Sequence, residues 1–310
     1  MSFLARTLAS VLARLARCSG RQAGAALVYH RLAADPGDTG RAIVPAHGRG
    51  VFEAQARHLA ACYDVIPASE LVGAVRARRR GQRFPVSITF DDDLQSHRHI
   101  ALPVLQRHGL TATFFVSGAS LWEPHAFWWE RLQYAVDAQI PFANLVPDGV
   151  AAHSIGAVAT AIRDLPADQR DAVAARLRAR LGPDPADAGL REEDVRALAG
   201  AGCEIGMHTL RHDYLPRLDD AALARAMTEG RERLAAVASR PLRIIAYPHG
   251  AADARVAAAA RVAGYCTGFT TRPTAVFADD DPLLLGRLEP SFRSAGRFAV
   301  RLVLTLIGRS

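Results

Sequence analysis

The sequence predicts an α/β protein in which short parallel strands alternate with helices, as a doubly wound sheet or a barrel, with a long helical stretch set into it. Strand-like and helix-like segments take turns along most of the 310 residues. The polar residues best suited to chemistry, His30, Asp91, Asp92, His208, His249 and Arg287, all fall at strand ends. Parallel barrels carry their chemistry on that face, and this many such residues at successive strand ends argue for one shared site.

In chain order, residues 1–18 place Leu4, Leu8, Val11, Leu12 and Leu15 at helical spacing, with Arg6, Arg14 and Arg17 on another face. Arginines interrupt the apolar run, which predicts neither a signal peptide nor a spanning helix. The tail repeats the pattern, with Phe298, Val300, Leu302, Val303, Leu304, Leu306 and Ile307 flanked by Arg297, Arg301 and Arg309. Residues 1–24 and 291–310 therefore read as basic amphipathic helices. They either pack on their own domain or lie peripherally on an anionic membrane surface.

Residues 25–290 read as one domain. A buried strand at 25–30 ends in His30, a helix covers 51–62, a short strand 64–66, and a second helix 68–80 is closed by Gly81. At 85–90, Val86, Ile88 and Phe90 alternate with Ser87 and Thr89, the period of a strand. A helix at 95–108 stops at Gly109, and a β-branched and aromatic strand follows at 111–116.

From 121 to about 198 the pattern is helical and rich in Ala and Arg, with Pro166, Pro183 and Pro185 as breakers. Strands resume directly afterwards, so an insertion is predicted rather than an independent domain. Its aromatic residues Trp122, Phe127, Trp128 and Trp129 either pack it together or present a sugar-stacking surface, with Trp128 as the candidate for substrate contact. Further strands are predicted at 203–207, 243–247, 265–269 and 284–288.

Composition narrows the function. Half of the residues are hydrophobic and 22% are charged, as in a folded globular protein. The net charge of +7 and the pI near 9.8 suit an acidic partner or an anionic surface. No nucleic-acid signature is present and aromatics do not interleave with basic residues, so no nucleic-acid partner is expected. Cys18, Cys62, Cys203 and Cys266 lack C-x-x-C spacing and lie in apolar surroundings. They read as buried free thiols in an intracellular protein, with no disulfide framework and no cysteine zinc site. The expected location is cytoplasmic, at most peripheral to the inner face of a membrane.

The strand at 85–90 runs straight into Asp91, Asp92 and Asp93. Adjacent carboxylates repel, so they require open solvent or a cation. A solvated acidic turn accounts for such a run as well as a site does. His208 and His212, four positions apart, share one side of a helical turn if the segment is helical. Two imidazoles and one carboxylate leave coordination positions open, the pattern of a catalytic rather than a structural metal site.

These blocks together, Thr89-Phe90-Asp91-Asp92, Ala112-Thr113-Phe114-Phe115-Val116, His208-Thr209-Leu210-Arg211-His212 and Tyr247-Pro248-His249-Gly250, resemble the polysaccharide deacetylases. This is the NodB-homology group, also called carbohydrate esterase family four. The resemblance spans about residues 27–290, interrupted by the insertion. It implies a distorted (β/α) barrel that removes acetyl groups from N-acetylated sugars with one divalent metal ion, usually zinc. The substrate so implied is an N-acetylated glycan, glycolipid or lipid-linked precursor.

Asp91 matches the family's base, and Asp92, His208 and His212 match its metal ligands. A backbone N–H near His249 matches its oxyanion donor, and Tyr247 and Pro248 belong to the same substrate-facing block. The family's usual late histidine is missing from the segment at 284–288, so His30, after Tyr29, is the candidate general acid.

Ala246 stands where the family has the arginine that orients the base, so Arg243 or Arg287 must reach in. Asp93 replaces a glycine; it narrows substrate choice, binds a cationic group, or points to solvent. With Asp93, His97 and His99 read either as further ligands or as a solvated helix start. Two other functions fit these departures: hydrolysis of a different non-peptide C–N bond, as in a cyclic amide or formyl group, and glycan binding without catalysis.

Overall fold

The computed structural model describes residues 2–37, 41–141 and 154–308. Helix α1 (Ser2–Ala16) leads into β1 (Ala23–Tyr29), and the short strands β2 (Leu32–Ala33) and β3 (His47–Gly48) pair in parallel beyond it. Helix α2 (Arg49–Cys62) follows and buries Phe52, Ala56, Leu59 and Cys62, one stripe at helical spacing. After β4 (Asp64–Val65) comes α3 (Leu71–Ala77), preceded by a single turn at Ala68–Glu70. The helix expected to run to residue 80 stops early because Arg78 leaves helical geometry. Its buried guanidinium donates to the carbonyls of Ser19, Arg21 and Gln82.

Next come β5 (Pro85–Asp91), a wide helical turn at His97–Ala101 that runs into α4 (Leu102–Arg107), and β6 (Thr113–Val116). The helical stretch contributes α5 (Trp128–Asp137), α6 (Ile155–Arg163), α7 (Ala167–Leu181) and α8 (Glu192–Gly200). The remaining elements are β7 (Glu204–Met207), α9 (Asp220–Thr228), α10 (Arg231–Ala238), β8 (Ile244–Ala246), α11 (Ala254–Val262), β9 (Thr267–Phe269), β10 (Val276–Phe277) and α12 (Ala295–Ile307).

Among the described residues the main sheet runs β10-β1-β5-β6-β7-β8-β9, parallel throughout except where β10 pairs antiparallel with β1. The first residues of β5 pair with β4 and its last with β6. Every residue of β1, β5 and β6 is buried, as expected for parallel strands covered on both faces.

The strand expected at 284–288 is not regular. Leu285 bridges to Phe269 and Leu288 to Leu27, while the Arg287 amide turns aside to the carbonyl of Arg272. Gly286 explains the irregularity, since a Cβ there would sit 2.1 Å from Thr274 Oγ1 and 2.6 Å from the Arg272 carbonyl. This segment joins β9 to β1 and curls the sheet into a distorted barrel, the fold class the sequence predicts.

The inserted helices do not share the main core. Trp129, Leu132, Val158, Ile162, Val173 and Leu177 form a separate apolar cluster under α5, α6 and α7. Helix α8, at the end of the expected insertion, instead buries Val195 and Leu198 in the main core.

The terminal helices α1 and α12 pack together against the barrel through Ala13, Ala16, Phe298, Leu302 and Leu306. Packing on their own domain is thus one of the two alternatives open at the sequence level. Their outward faces still expose Val11, Leu15, Leu304 and Ile307. No helix among the described residues is long and apolar enough to cross a membrane. Cys62 and Cys203 are buried as expected, whereas Cys18 and Cys266 are exposed, a correction that follows from their places just beyond α1 and just before β9.

Gly268 on β9 marks a close approach of strand and loop. A Cβ there would lie 2.4 Å from Tyr247 Oη and 2.8 Å from the Leu283 carbonyl, the two partners of a buried 2.8 Å hydrogen bond. Gly268→Ala is expected to destabilise the protein by about 1–3 kcal/mol. Denaturant titration checks this; an unchanged midpoint would contradict the packing described.

Candidate active site

The site begins where β5 ends. Asp91 is its last residue, Asp92 turns the chain with φ of 75°, and Asp93 follows. All three carboxylates are buried, and each is held by a different part of the chain.

Asp91 receives a two-pronged ion pair from Arg287, with Nη1 to Oδ1 at 2.7 Å and Nη2 to Oδ2 at 2.6 Å. The same guanidinium donates to the Thr270 carbonyl and to Thr89 Oγ1, and Thr89 in turn donates to the Leu27 carbonyl. Of the two arginines that could replace the family's, Arg287 is therefore the one that reaches in. Arg243 is exposed and precedes β8, at the opposite end of the strands.

Asp92 faces His208 and His212, with each Nε2 at 3.5 Å from its Oδ1. His208 leaves β7, its amide held by the Val116 carbonyl, and its Nδ1–H donates to the Ala246 carbonyl at 2.8 Å. That bond fixes the tautomer and aims Nε2 at Asp92. The residues from His208 to His212 do not form the helical turn expected. Thr209 and His212 both take left-handed backbone angles, with φ of 53° and 51°, and this loop geometry brings the second imidazole around to the first. Its ring rests on Trp129, centroids 4.5 Å apart, and on His249 at 4.6 Å.

The donor atoms of Asp92, His208 and His212 lie within 4.8 Å of one another. Asp92 Oδ1 is buried without a hydrogen-bond partner, a costly state for a carboxylate oxygen that a cation relieves. The residues present fit a divalent ion.

Asp93 corrects an expectation: it neither meets substrate nor points to solvent. It accepts hydrogen bonds from Ser117 N at 2.6 Å, Ser117 Oγ at 2.7 Å and Gly118 N at 3.1 Å, pinning the loop after β6. These donors recover part of the cost of burying the carboxylate.

Electrostatics separate the three acids. Burial alone would raise Asp91, but Arg287, His208 and His30 outweigh it and hold its carboxyl below the usual range. Asp92 is likewise opposed by burial, yet His208 and His212 drive it far down. Asp93 ends up raised, because burial and the charge of Asp92 exceed what its hydrogen bonds recover. For His208, burial pulls the pKa down but Asp91 and Asp92 win, and it rises. Burial, reinforced by His249 and His208, leaves His212 well below its ordinary value. His249 is lowered to about 4 by burial and by His208.

A cleft of about 410 Å³ opens over these groups, lined by His30, Asp91, Asp92, His208, His212 and His249, and walled by Trp128 and Trp129 of α5. His30 Nε2 lies 4.0 Å from Asp91 Oδ2, on the cleft side. Its loop is fastened from below, since buried His97 bonds the His30 carbonyl at 3.2 Å and Ser96 Oγ accepts from Leu32 N. His97 is thus neither solvated nor a ligand, whereas His99 is exposed.

Tyr247 and Pro248, expected to touch substrate, lie in the core and line no part of the cleft. The Tyr247 hydroxyl donates to the Leu283 carbonyl because its side chain points inward from the end of β8. Sequence reasoning missed the supporting residues Ser117, Ser96 and Thr270. Nothing in a lone serine or threonine signals a bond to a residue that distant in sequence.

Comparison with known proteins agrees with this geometry. A model of the family described as polysaccharide deacetylase matches residues 78–268. None of the curated protein sequences matches the chain. Solved structures with the same fold include the Streptococcus pyogenes deacetylase PplD in complex with acetate, at 17% identity and a TM-score of 0.63, covering 92% of this chain and 98% of that one. IcaB from Ammonifex degensii has 17% identity and a TM-score of 0.54, covering 90% and 97%. BC0361, a polysaccharide deacetylase from Bacillus cereus, has 17% identity and a TM-score of 0.60, covering 90% and 69%. With its family model matched over most of the barrel and the acid and histidine positions gathered in one cleft, the chain belongs to the polysaccharide deacetylase family.

Proposed function

We propose that the protein is a metal-dependent N-deacetylase acting on N-acetylated sugars of a glycan or its precursor. The observation that carries this reading is the division of labour at the end of β5. Asp92 joins two histidines around a position fit for a cation, while Asp91 stays outside that set, ionised and oriented by Arg287.

The donor set of one carboxylate and two imidazoles suits zinc; when bound, a divalent ion would acidify a coordinated water and polarise the acetyl carbonyl. Asp91 is the general base. Its oxygens share a buried pocket with the metal-ligand set, and Arg287 prevents it from swinging to join that set. Arg287 also keeps Asp91 ionised, so it is ready to accept a proton at neutral pH.

His30 is the general acid that protonates the departing amine, a reading supported by its position in the cleft lining, 4.0 Å from Asp91. In the turn after β8 the amides of Gly250 and Ala251 are taken by the carbonyls of Tyr247 and Pro248. The His249 amide is the remaining donor there for a developing oxyanion.

Acetate release from N-acetylglucosamine oligomers tests the reading. Asp91→Asn is expected to lower kcat by about 10²–10⁴-fold while zinc content stays at the wild-type level. Undiminished turnover would refute the base assignment. His30→Ala should lower kcat and leave zinc content unchanged, and near-normal turnover would remove His30 from the mechanism.

Zinc affinity should depend on pH with a defined sign. The raised His208 holds a proton at higher pH than free histidine, and a metal must displace it. Apparent affinity is therefore full above that pKa and falls as pH drops through it, by about tenfold per pH unit at the steepest. Competition titration with a chelator checks this; a profile that stays flat as pH falls through the ordinary histidine range would contradict it.

A further inference from the structure

A second groove, about 870 Å³, lies beside the cleft, between the inserted helices and the barrel. Trp128 lines both, so one indole forms the wall between them. Trp122, which also lines the groove, is 48% exposed, one of few large apolar side chains left so open among the described residues. Its backbone is fixed by Arg191, which donates to the carbonyls of Ser120 and Trp122, and Arg233 lies over its ring at 5.3 Å from the centroid. A half-exposed indole on a fixed backbone is a platform for the apolar face of a sugar, and a cation beside it can meet charges on the same ligand.

The groove is basic: five arginines line it against Asp171 and Glu229. Arg131, Arg170 and Arg211 are committed to Asp184, Asp213 and Asp171. Arg178 and Arg233 are exposed; Arg178 adds to the positive field at Asp184, whose direct ion pair is with Arg131. The cleft over the candidate active site therefore adjoins a groove about twice as large with an exposed indole and two exposed arginines.

We propose that this groove is a subsite for the continuing strand of an acetylated glycan bearing anionic groups, with Trp122 stacking a sugar and Arg178 and Arg233 pairing its charges. The proposal rests on the deacetylase reading for its substrate class but on different residues. It also gives the site a direction: a strand already deacetylated carries ammonium groups that these arginines repel, so unprocessed strand is favoured.

The test compares the intact protein's binding of a hyaluronan decasaccharide, which alternates N-acetylated sugars with uronates, with that of a neutral N-acetylglucosamine decasaccharide. Hyaluronan is expected to bind about tenfold tighter at low salt, with the advantage shrinking as salt rises. The double variant Arg178→Gln, Arg233→Gln should lose that advantage, and Trp122→Ala should weaken both decasaccharides. Neither should change kcat on an N-acetylglucosamine trisaccharide, because none of the three side chains lines the cleft. Equal binding of the two decasaccharides, or variants that bind them as the wild type does, would overturn the proposal. Absence of acetate release from any oligomer would count against the deacetylase reading alone, since binding still decides the groove.

Discussion

Three consecutive carboxylates are buried at the tip of β5, and the molecule is arranged to make that tolerable. Unpaired, such a run would repel itself and forfeit its hydration, at a cost of several kcal/mol per charge. The solution is three separate partners drawn from three directions. Arg287 from the closing segment holds Asp91, His208 and His212 from the loop after β7 face Asp92, and the loop after β6 wraps Asp93 in amides and hydroxyls. Because each partner sits on a different strand end, the acids tie the curl of the sheet to the chemistry at its rim.

The same region concentrates backbone strain. Of the six non-glycine residues with positive φ among those described, Asp92, Thr209, His212 and His249 all belong to the site. Left-handed angles cost an ordinary residue roughly 1–2 kcal/mol each, a load the surrounding packing must carry. The strain has a visible use. It turns two histidines toward one carboxylate without a helix and holds Gly250 against Thr271, where even a methyl group would not fit.

Much of this was legible in the sequence. The alternation at 85–90 and the chemistry-bearing residues at strand ends marked both the parallel architecture and the site, and the spacing of the motif blocks named the family. What escaped has a physical pattern. Asp93 looked like solvent-facing charge because its donors, Ser117 and Gly118, come from the next strand's loop and carry no signature. Tyr247 sat in the right block, but side-chain direction at the end of a three-residue strand does not follow from block membership. The strand at 284–288 had the right composition, yet a glycine pressed against Thr274 and an arginine diverted to Asp91 kept it from forming a regular ladder.

That irregular closure links integrity to chemistry. Between β9 and β1 the sheet is joined through residues 282–288 by a seam rather than by a regular ladder. It consists of two isolated bridges and individual backbone hydrogen bonds, among them Leu285 N to the Gly268 carbonyl and Leu288 N to the Ala26 carbonyl. Arg287 stands in the seam. A fluctuation that parted it would carry the guanidinium away from Asp91 with most of the secondary structure still in place. The orientation of Asp91 is thus tied to a join that is not a regular ladder, and opening that join would release the acid without first unpairing β1 from β5.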